Sequence, residues 1–272
     1  MAKIRVKVGS VLVGGDNLIL IAGPCAVESE EITFRAAETV ARVSEKHKIA
    51  AIFKSSYKKA NRLSGSSFST IGIGKALSIL QDVKRKFGLP ILTDVHNTDE
   101  IDAAAEVADC LQIPAFLCRQ TELVMAAAKT MLPVNIKKGQ FLAPEDMKPI
   151  AEKAVSTGNT QIMLTERGSS FGYHDLVVDF RGLVTMAEYG YPVIFDCTHS
   201  VQKPGSAGSS SGGDPRFIIP LARAAVAVGV DAIFVETHPD PPNAMSDREC
   251  QLPTDKLELL VQNIAGSMKM NN

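Results

Sequence analysis

The chain has 272 residues, of which 45% are hydrophobic and 22% are charged, and its formal net charge is −1. This composition is typical of a globular protein with a large core, and it argues against a general nucleic-acid binder, which would be clearly basic. Because no run of 18 apolar residues occurs and MAKIRVKVGS lacks the apolar centre of a signal peptide, we expect neither a membrane span nor secretion. The five scattered cysteines form no CxxC pair, which favours a reduced, cytoplasmic protein.

The N-terminal segment KIRVKVGSVLVGGDN alternates apolar and polar residues around Gly9-Ser10. This alternation predicts a small hairpin within residues 1–16. The run LILIAG (18–23) follows it and predicts a buried strand that ends on Pro24 and Cys25. A strand that ends by presenting a thiol is the first indication of a functional site.

Seven more short apolar runs follow at intervals along the chain, and helical patterns separate most of them. The predicted strands are 50–55, 90–95, 110–114, 133–138, 161–167, 192–199 and 232–238. The predicted helices are 33–47, 71–88, 98–108, 122–131, 144–158 and 214–229. The helix 144–158 opens with Pro144 and stops at Gly158, which is the expected asymmetry.

This alternation of strand and helix continues without a break in composition. It predicts one domain over residues 1–272, an α/β protein with the (β/α)8 TIM-barrel fold. The N-terminal hairpin is then expected to cap the floor of the barrel. A doubly wound open sheet is the competing layout.

Polar or reactive side chains stand at the ends of all the predicted strands. In chain order they are Cys25, Lys54, Asp94, Gln112, Lys137, Glu166 with Arg167, Asp196 with His199, and Glu236 with His238. Barrel enzymes place their chemistry at the C-terminal ends of the strands. We therefore expect these residues to form a catalytic face.

Cations are concentrated near this predicted face. They are Lys54, Lys59, Arg62, Arg119, Lys137 and Arg167. Arginine binds phosphate or carboxylate through paired hydrogen bonds, and lysine supplies a point charge. Because the whole molecule is nearly neutral, the concentration predicts anionic ligands. Ion pairing with Asp94, Glu166 and surface acids is the alternative explanation.

A second group combines Cys25, His199, Glu236 and Asp247. In a closed barrel the last strand pairs with the first, so the ends that carry the first three residues are neighbours, and Asp247 joins from the last strand's loop. Sulfur, nitrogen and oxygen ligands suit Zn²⁺ or Fe²⁺, with Mn²⁺ possible. Taken alone, a cysteine such as Cys25 is more often a small buried hydrophobe than a metal ligand. The Gly/Ser-rich segment 201–216 on the same face predicts a mobile lid, with a disordered linker as the alternative.

The whole chain carries motifs that resemble a known family. AGPCAVES, FKSSYKKANRLS, ILTDVH, LQIPAFLCRQTEL, NIKKGQF, LTERGSSFGY, FDCTHSVQ and FVETHPDP resemble, in this order, the motifs of the 3-deoxy-D-manno-octulosonate 8-phosphate synthases (2-dehydro-3-deoxyphosphooctonate aldolases). The resemblance implies a (β/α)8 barrel, normally a cytoplasmic homotetramer. It also implies condensation of phosphoenolpyruvate, D-arabinose 5-phosphate and water, with release of inorganic phosphate, for lipopolysaccharide biosynthesis.

The resemblance also implies roles for individual residues. Phosphoenolpyruvate is held by residues that match Lys54, Lys59, Lys137 and Arg167. Asn61 and Arg62 match residues of the arabinose phosphate site. The family usually has serine where this chain has Leu63, and the adjacent Ser64 could supply that hydroxyl. Asp94 and Gln112 match residues that line the pocket, and Arg119 matches an arginine that reaches this site from a neighbouring subunit. Cys25, His199, Glu236 and Asp247 match the ligands of the metal-dependent branch, whereas the other branch has asparagine at the position of Cys25. Catalytic roles are expected for Lys54, Lys59, Lys137, Arg167, His199 and Asp247.

Three other functions remain open from the sequence. The nearest is the sister 3-deoxy-arabino-heptulosonate 7-phosphate synthase, which uses erythrose 4-phosphate and typically carries KPR where this chain has KANR. A Schiff-base aldolase would use Lys137 as its nucleophile. A non-catalytic barrel that binds sugar phosphates would leave the predicted metal cluster unexplained.

Overall fold

The computed structural model describes residues 3–60, 65, 67–205 and 212–268, and within them strands and helices alternate. The main strands are β1 (Ile19–Gly23), β2 (Ala51–Lys54), β3 (Ile91–Asp94), β4 (Cys110–Ile113), β5 (Val134–Lys137), β6 (Ile162–Glu166), β7 (Val193–Asp196) and β8 (Ala232–His238). The helices are α1 (Glu30–His47), α2 (Ile73–Phe87), α3 (Ile101–Ala105), α4 (Thr121–Lys129), α5 (Met147–Val155), α6 (Arg181–Ala187), α7 (Ile218–Val228) and α8 (Leu257–Met268). Each helix follows the strand of the same number.

The eight strands form a closed parallel ring. Neighbouring strands pair in chain order, β8 pairs with β1, and β7 pairs with β8. This closure confirms the predicted (β/α)8 barrel and excludes the open sheet. Helices α6 and α8 were not delimited from the sequence, and α3 was predicted too long because a 3₁₀ turn occupies Thr98–Glu100.

The predicted N-terminal hairpin closes the barrel floor. Its strands Val6–Val8 and Val11–Val13 pair antiparallel around Gly9-Ser10. The alternating valines Val6, Val8, Val11 and Val13 are buried, and they pack in one cluster with inward side chains of the barrel strands, including Ile19, Ile52, Leu92, Met163 and Ile194. The apolar half of the hairpin's alternation therefore seals the end of the barrel opposite the candidate site.

The apolar interior extends upward to Phe234, which is fully buried and directly underlies two lysines. Lys137 Nζ lies 3.9 Å from the centroid of its ring, and Lys54 Nζ lies 5.5 Å from it. An aromatic face attracts a cation, so this ring helps to hold both ammonium groups at the boundary of the core. Across the described part of the chain, no helix has the length and apolar character needed to cross a membrane.

Candidate active site

The C-terminal ends of the strands surround one pocket that contains most of the predicted site residues. It is lined by Lys54, Lys59, Asp94, His96, Gln112, Pro114, Ala115, Phe116, Lys137, Arg167, His199, Gln202 and Asp247. All six residues with a predicted catalytic role are among them, as are Asp94 and Gln112. Asn61, Arg62 and Ser64 lie outside the described residues. Arg119 is exposed, just before α4, and does not line this pocket.

Lys54, at the end of β2, joins three neighbouring strand ends. Its ammonium group donates to Glu236 Oε1 at 2.9 Å and to the carbonyl of Cys25 at 3.2 Å, and it lies 3.6 Å from Asp94 Oδ2. Burial alone would lower the pKa of Lys54, but Glu236 and Asp94 raise that pKa above its ordinary value. Lys54 is therefore a permanent buried cation.

Asp94 ends a chain of hydrogen bonds that crosses four strands. Its carboxylate accepts from Ser56 Oγ and from Gln112 Nε2. Asn135 Nδ2 donates to Gln112 Oε1 at 2.8 Å, and Thr165 Oγ1 donates to Asn135 Oδ1 at 2.7 Å. All these donors point toward Asp94, so the chain stabilises an anion and fixes the orientation of the Gln112 amide.

The carboxylate of Asp196 holds both Lys137 and His199. Lys137 Nζ donates to Asp196 Oδ2 at 2.5 Å, and His199 Nδ1 lies 2.6 Å from the same oxygen. Burial would raise the pKa of Asp196, but His199 and Lys137 hold it well below its usual range. Burial lowers the pKa of Lys137 despite Asp196, so this ammonium gives up a proton more readily than an exposed lysine.

Cys25, Glu236 and Asp247 form a cluster suited to a metal ion. Their ligand atoms lie within 4.8 Å of one another, and Cys25 Sγ lies 3.1 Å from Asp247 Oδ2. His199, the fourth predicted ligand, borders this cluster with Nε2 3.6 Å from Glu236 Oε2 and 3.8 Å from Asp247 Oδ2. Thus the structure brings together all four residues, three of them as the compact group.

The chemistry of this cluster fits a divalent cation. Glu236 Oε2 is buried and has no hydrogen-bond partner among the described residues, which leaves a lone pair free for a ligand. Burial raises the pKa of the Cys25 thiol, and Asp247 and Glu236 raise it further. Asp247 adopts a left-handed backbone with φ +46°, a costly conformation that often marks a functional position. Soft sulfur beside imidazole and carboxylate suits Zn²⁺ or Fe²⁺.

Two strand-end residues point away from the pocket and fix its loops instead. Glu166 Oε1 accepts from the backbone N–H groups of Arg167 at 3.0 Å and Gly168 at 2.6 Å. His238 Nε2 lies 3.4 Å from Glu28 Oε2, whose other oxygen accepts from the N–H of Met245 at 2.8 Å. The polar endings of β6 and β8 therefore include structural groups as well as pocket residues.

Five pocket residues were not singled out from the sequence: His96, Pro114, Ala115, Phe116 and Gln202. All five lie within the quoted motifs ILTDVH, LQIPAFLCRQTEL and FDCTHSVQ, and these motifs are the signal by which they could have been found. Gln202 begins a two-residue strand that pairs with Gly212–Gly213, at the base of the predicted lid. Residues 206–211 of that segment lie outside the described residues, so the lid stays a prediction.

Comparison with known proteins gives matches along almost the whole chain. The model of the DAHP synthetase I family matches residues 2–269. The chain is 52% identical over 261 residues to the 2-dehydro-3-deoxyphosphooctonate aldolase of Trichlorobacter lovleyi, covering 96% of both chains. It is 54% identical over 247 residues to the aldolase of the same name from Magnetococcus marinus, covering 91% of this chain and 86% of that relative. The corresponding protein of Bartonella bacilliformis is 52% identical over 260 residues, covering 95% of this chain and 92% of that protein.

Proposed function

The chain belongs to the DAHP synthetase I family, and we propose that it condenses phosphoenolpyruvate with D-arabinose 5-phosphate and water. The products are 3-deoxy-D-manno-octulosonate 8-phosphate and inorganic phosphate, for lipopolysaccharide biosynthesis. The observation that carries this proposal is one pocket where four cations, Lys54, Lys59, Lys137 and Arg167, adjoin the cluster of Cys25, Glu236 and Asp247. The relatives are named for the octulosonate reaction and not for its heptulosonate sister.

Phosphoenolpyruvate carries a phosphate and a carboxylate, and the pocket offers cations for both. Arg167 is buried, its Nη2 donates to the carbonyl of His199 at 3.2 Å, and its Nε has no hydrogen-bond partner among the described residues. A buried donor without a partner is costly, so an anionic oxygen at Nε would remove that cost. Burial lowers the pKa of Arg167, and a bound anion would restore it. These features support Arg167, with Lys54, Lys59 and Lys137, as the phosphoenolpyruvate site.

The covalent steps balance with the groups at hand. The C3 methylene carbon of phosphoenolpyruvate bonds to the aldehyde carbon of the sugar, and the aldehyde oxygen takes a proton. Water adds to C2 and releases a proton. The C2–O bond to phosphate then breaks while the new C2 hydroxyl becomes the ketone, and the hydroxyl proton leaves with inorganic phosphate. We assign the proton donated to the aldehyde oxygen to Lys137 Nζ, because burial lowers the pKa of this lysine. The proton released by water replaces it.

Cys25, Glu236 and Asp247, with His199 as the fourth ligand, would hold a Zn²⁺, Fe²⁺ or Mn²⁺ ion. Such an ion supplies Lewis-acid polarisation of an oxygen that faces the pocket. Asp196 orients His199 for this role. Its carboxylate accepts a hydrogen bond from His199 Nδ1 at 2.6 Å, so the ring proton stays on Nδ1 and the lone pair of Nε2 faces the cluster. Lys54 neutralises Glu236, which lets the carboxylate stay ionised while it is buried.

The remaining predicted contacts concern the sugar phosphate and the assembly. We assign Asn61, Arg62 and Ser64 to the arabinose phosphate, beside Asp94 and Gln112 in the pocket wall. Arg119 is exposed in the single chain, which supports a role in which it reaches the pocket of a neighbouring subunit. The working form is then a homotetramer in the cytoplasm.

Phosphate release from phosphoenolpyruvate with arabinose 5-phosphate or erythrose 4-phosphate tests this function. We expect release with arabinose 5-phosphate alone, strong loss in Lys137→Met, and no loss in the matched control Lys129→Met, which changes an exposed lysine of α4. Preference for erythrose 4-phosphate would assign the protein to the sister reaction. A borohydride-trapped adduct on Lys137 would indicate a Schiff base, and binding without turnover would indicate a non-catalytic barrel.

A further inference from the structure

We infer that Gln202 is a positioning residue that couples anion binding at Arg167 to the metal-ligand cluster through Asp247. The inference rests on the proposed function, because it takes the anion to be phosphoenolpyruvate and the cluster to hold a divalent ion. Gln202 is 8% exposed and lines the pocket. Its amide contacts both sites directly.

The two ends of this amide hold groups of opposite charge. Gln202 Oε1 accepts from Arg167 Nη2 at 2.8 Å, and Gln202 Nε2 donates to Asp247 Oδ1 at 3.0 Å. Reversing the amide would place NH₂ against the guanidinium and oxygen against the carboxylate, so both contacts would become repulsive. The orientation is therefore fixed by its neighbours, and a shift of either charged group is transmitted to the other.

Gln202 also keeps Arg167 and Asp247 available for ligands. Without the amide between them, the guanidinium and the carboxylate would be free to approach as a direct pair, which would occupy the donors and the oxygens that ligands need. With the amide between them, Arg167 Nε keeps no hydrogen-bond partner among the described residues. Asp247 Oδ2 likewise faces Cys25 Sγ at 3.1 Å and His199 Nε2 at 3.8 Å. An anion bound at Arg167 and a cation bound at Asp247 would thus each act on one end of the Gln202 amide.

The backbone of Gln202 ties this bridge to the base of the segment 201–216. Gln202 pairs with Gly213, and a Cβ on Gly213 would lie 2.3 Å from Cys250 Sγ and 3.0 Å from the carbonyl oxygen of Glu249. Cys250 Sγ donates to the carbonyl of Gly212 at 3.4 Å, and its backbone N–H donates to the carbonyl of Asp247 at 2.9 Å. The turn that carries Asp247 therefore packs against Gly212–Gly213, the strand that pairs with Gln202, and Cys250 makes this contact.

Binding measurements on the metal-stripped protein test this coupling without turnover. Co²⁺ is titrated with and without phosphoenolpyruvate, and the cobalt–thiolate absorption band reports ligation by Cys25. In the wild-type protein we expect phosphoenolpyruvate to change the Co²⁺ affinity by roughly tenfold, within the usual range for coupled sites. Gln202→Met has a similar volume but makes neither hydrogen bond. In this variant we expect the ratio of the Co²⁺ affinities with and without phosphoenolpyruvate to fall toward one. Lys203→Met, on the exposed neighbour of the same strand, should keep the wild-type ratio.

A Gln202→Met protein that folds and keeps the wild-type ratio would overturn the inference, as would a wild-type ratio of one. If Gln202→Met does not fold, Gln202→Glu decides, because it keeps an acceptor for Arg167 but repels Asp247. That variant should also lose the coupling, and retained coupling would overturn the inference. Phosphate release is measured in the same preparations. If the wild type releases phosphate and the variants keep the coupling, only this inference is rejected. If the wild type releases no phosphate, the proposed function is rejected.

Discussion

Replacing Asp196 with asparagine tests how the buried network holds Lys137 and His199. The carboxylate is fully buried and accepts from Lys137 Nζ at 2.5 Å and from His199 Nδ1 at 2.6 Å, and its other oxygen accepts from the backbone N–H of His199 at 2.9 Å. Asparagine keeps the size but has no charge and only one acceptor oxygen, so Lys137 becomes a buried cation without its partner. Breaking a buried ion pair from one side costs about 3–5 kcal/mol.

Thermal unfolding of the Asp196→Asn protein measures this cost. For a domain of this size about 1 kcal/mol shifts Tm by roughly 2–4 °C, so the variant should unfold roughly 6–20 °C below the wild type at pH 7. The pKa of Asp196 is depressed in the folded state, so its stabilisation is present above the ordinary aspartate pKa and lost as pH falls through the folded value. The Tm difference should therefore shrink as the pH is lowered below about 4. Asp179→Asn, in an exposed pair with Arg181, is the matched control and should leave Tm unchanged.

The same variant should weaken Co²⁺ binding at the proposed metal site. An asparagine amide can donate to His199 Nδ1, which shifts the ring proton to Nε2 and removes the lone pair that faces Glu236. Loss of such an outer partner typically costs 10–100-fold in metal affinity. Co²⁺ titration of the metal-stripped variant measures this loss. Equal Tm at pH 7 would contradict the stabilising pair of Asp196 and Lys137, and an unchanged Co²⁺ affinity would contradict the orientation of His199 by Asp196.

Two further changes test the packing and electrostatics of the barrel. Gly23→Ala should yield insoluble or strongly destabilised protein, because the new Cβ would lie 2.1 Å from the carbonyl oxygen of Lys54 at a backbone φ of +156°. The control Gly74→Ala lies in α2 with nothing within 4 Å of its Cβ, so this variant should unfold at or above the wild-type temperature. A Gly74→Ala protein less stable than Gly23→Ala would contradict this packing. Glu258→Gln should lower Tm at pH 7 but not near pH 2, because hydrogen bonds from Lys46 and His47 lower the pKa of Glu258 to about 2 and this stabilisation is lost as pH falls from about 4.5. A Tm difference that persists at pH 2 would contradict that assignment.

The barrel and the position of its site could be predicted because both follow from the order of the strands. Closure of the ring places the end of β1 beside the end of β8, so Cys25 and Glu236 had to be neighbours once the strands were counted. Seven of the eight strands were predicted one to four residues too long, and the bounds of 232–238 were correct. The run 192–199, for example, stops pairing after Asp196, where the chain turns into a 3₁₀ turn at His199–Val201.

Side-chain partners in the site could not be predicted, since they depend on which way each side chain points. Lys54 and Glu236 are separated by 182 residues, and only the folded chain shows that they pair. Counting cations alone overstated the positive charge of the pocket, because Lys54 and Lys137 each contact a buried carboxylate. Gln202 has no charge to attract attention, yet it joins Arg167 and Asp247. Helix α6 spans only seven residues, which is too short for a clear helical period.

Phosphate release from phosphoenolpyruvate with arabinose 5-phosphate, measured before and after chelation, tests the reaction and the metal ligands together. We expect verified metal removal to abolish release, and Zn²⁺, Fe²⁺ or Mn²⁺ to restore it in the wild type but not in Cys25→Ala. Full activity in the metal-free protein would contradict the role of Cys25, Glu236 and Asp247 as ligands. No phosphate release under any of these conditions would contradict the proposed reaction itself.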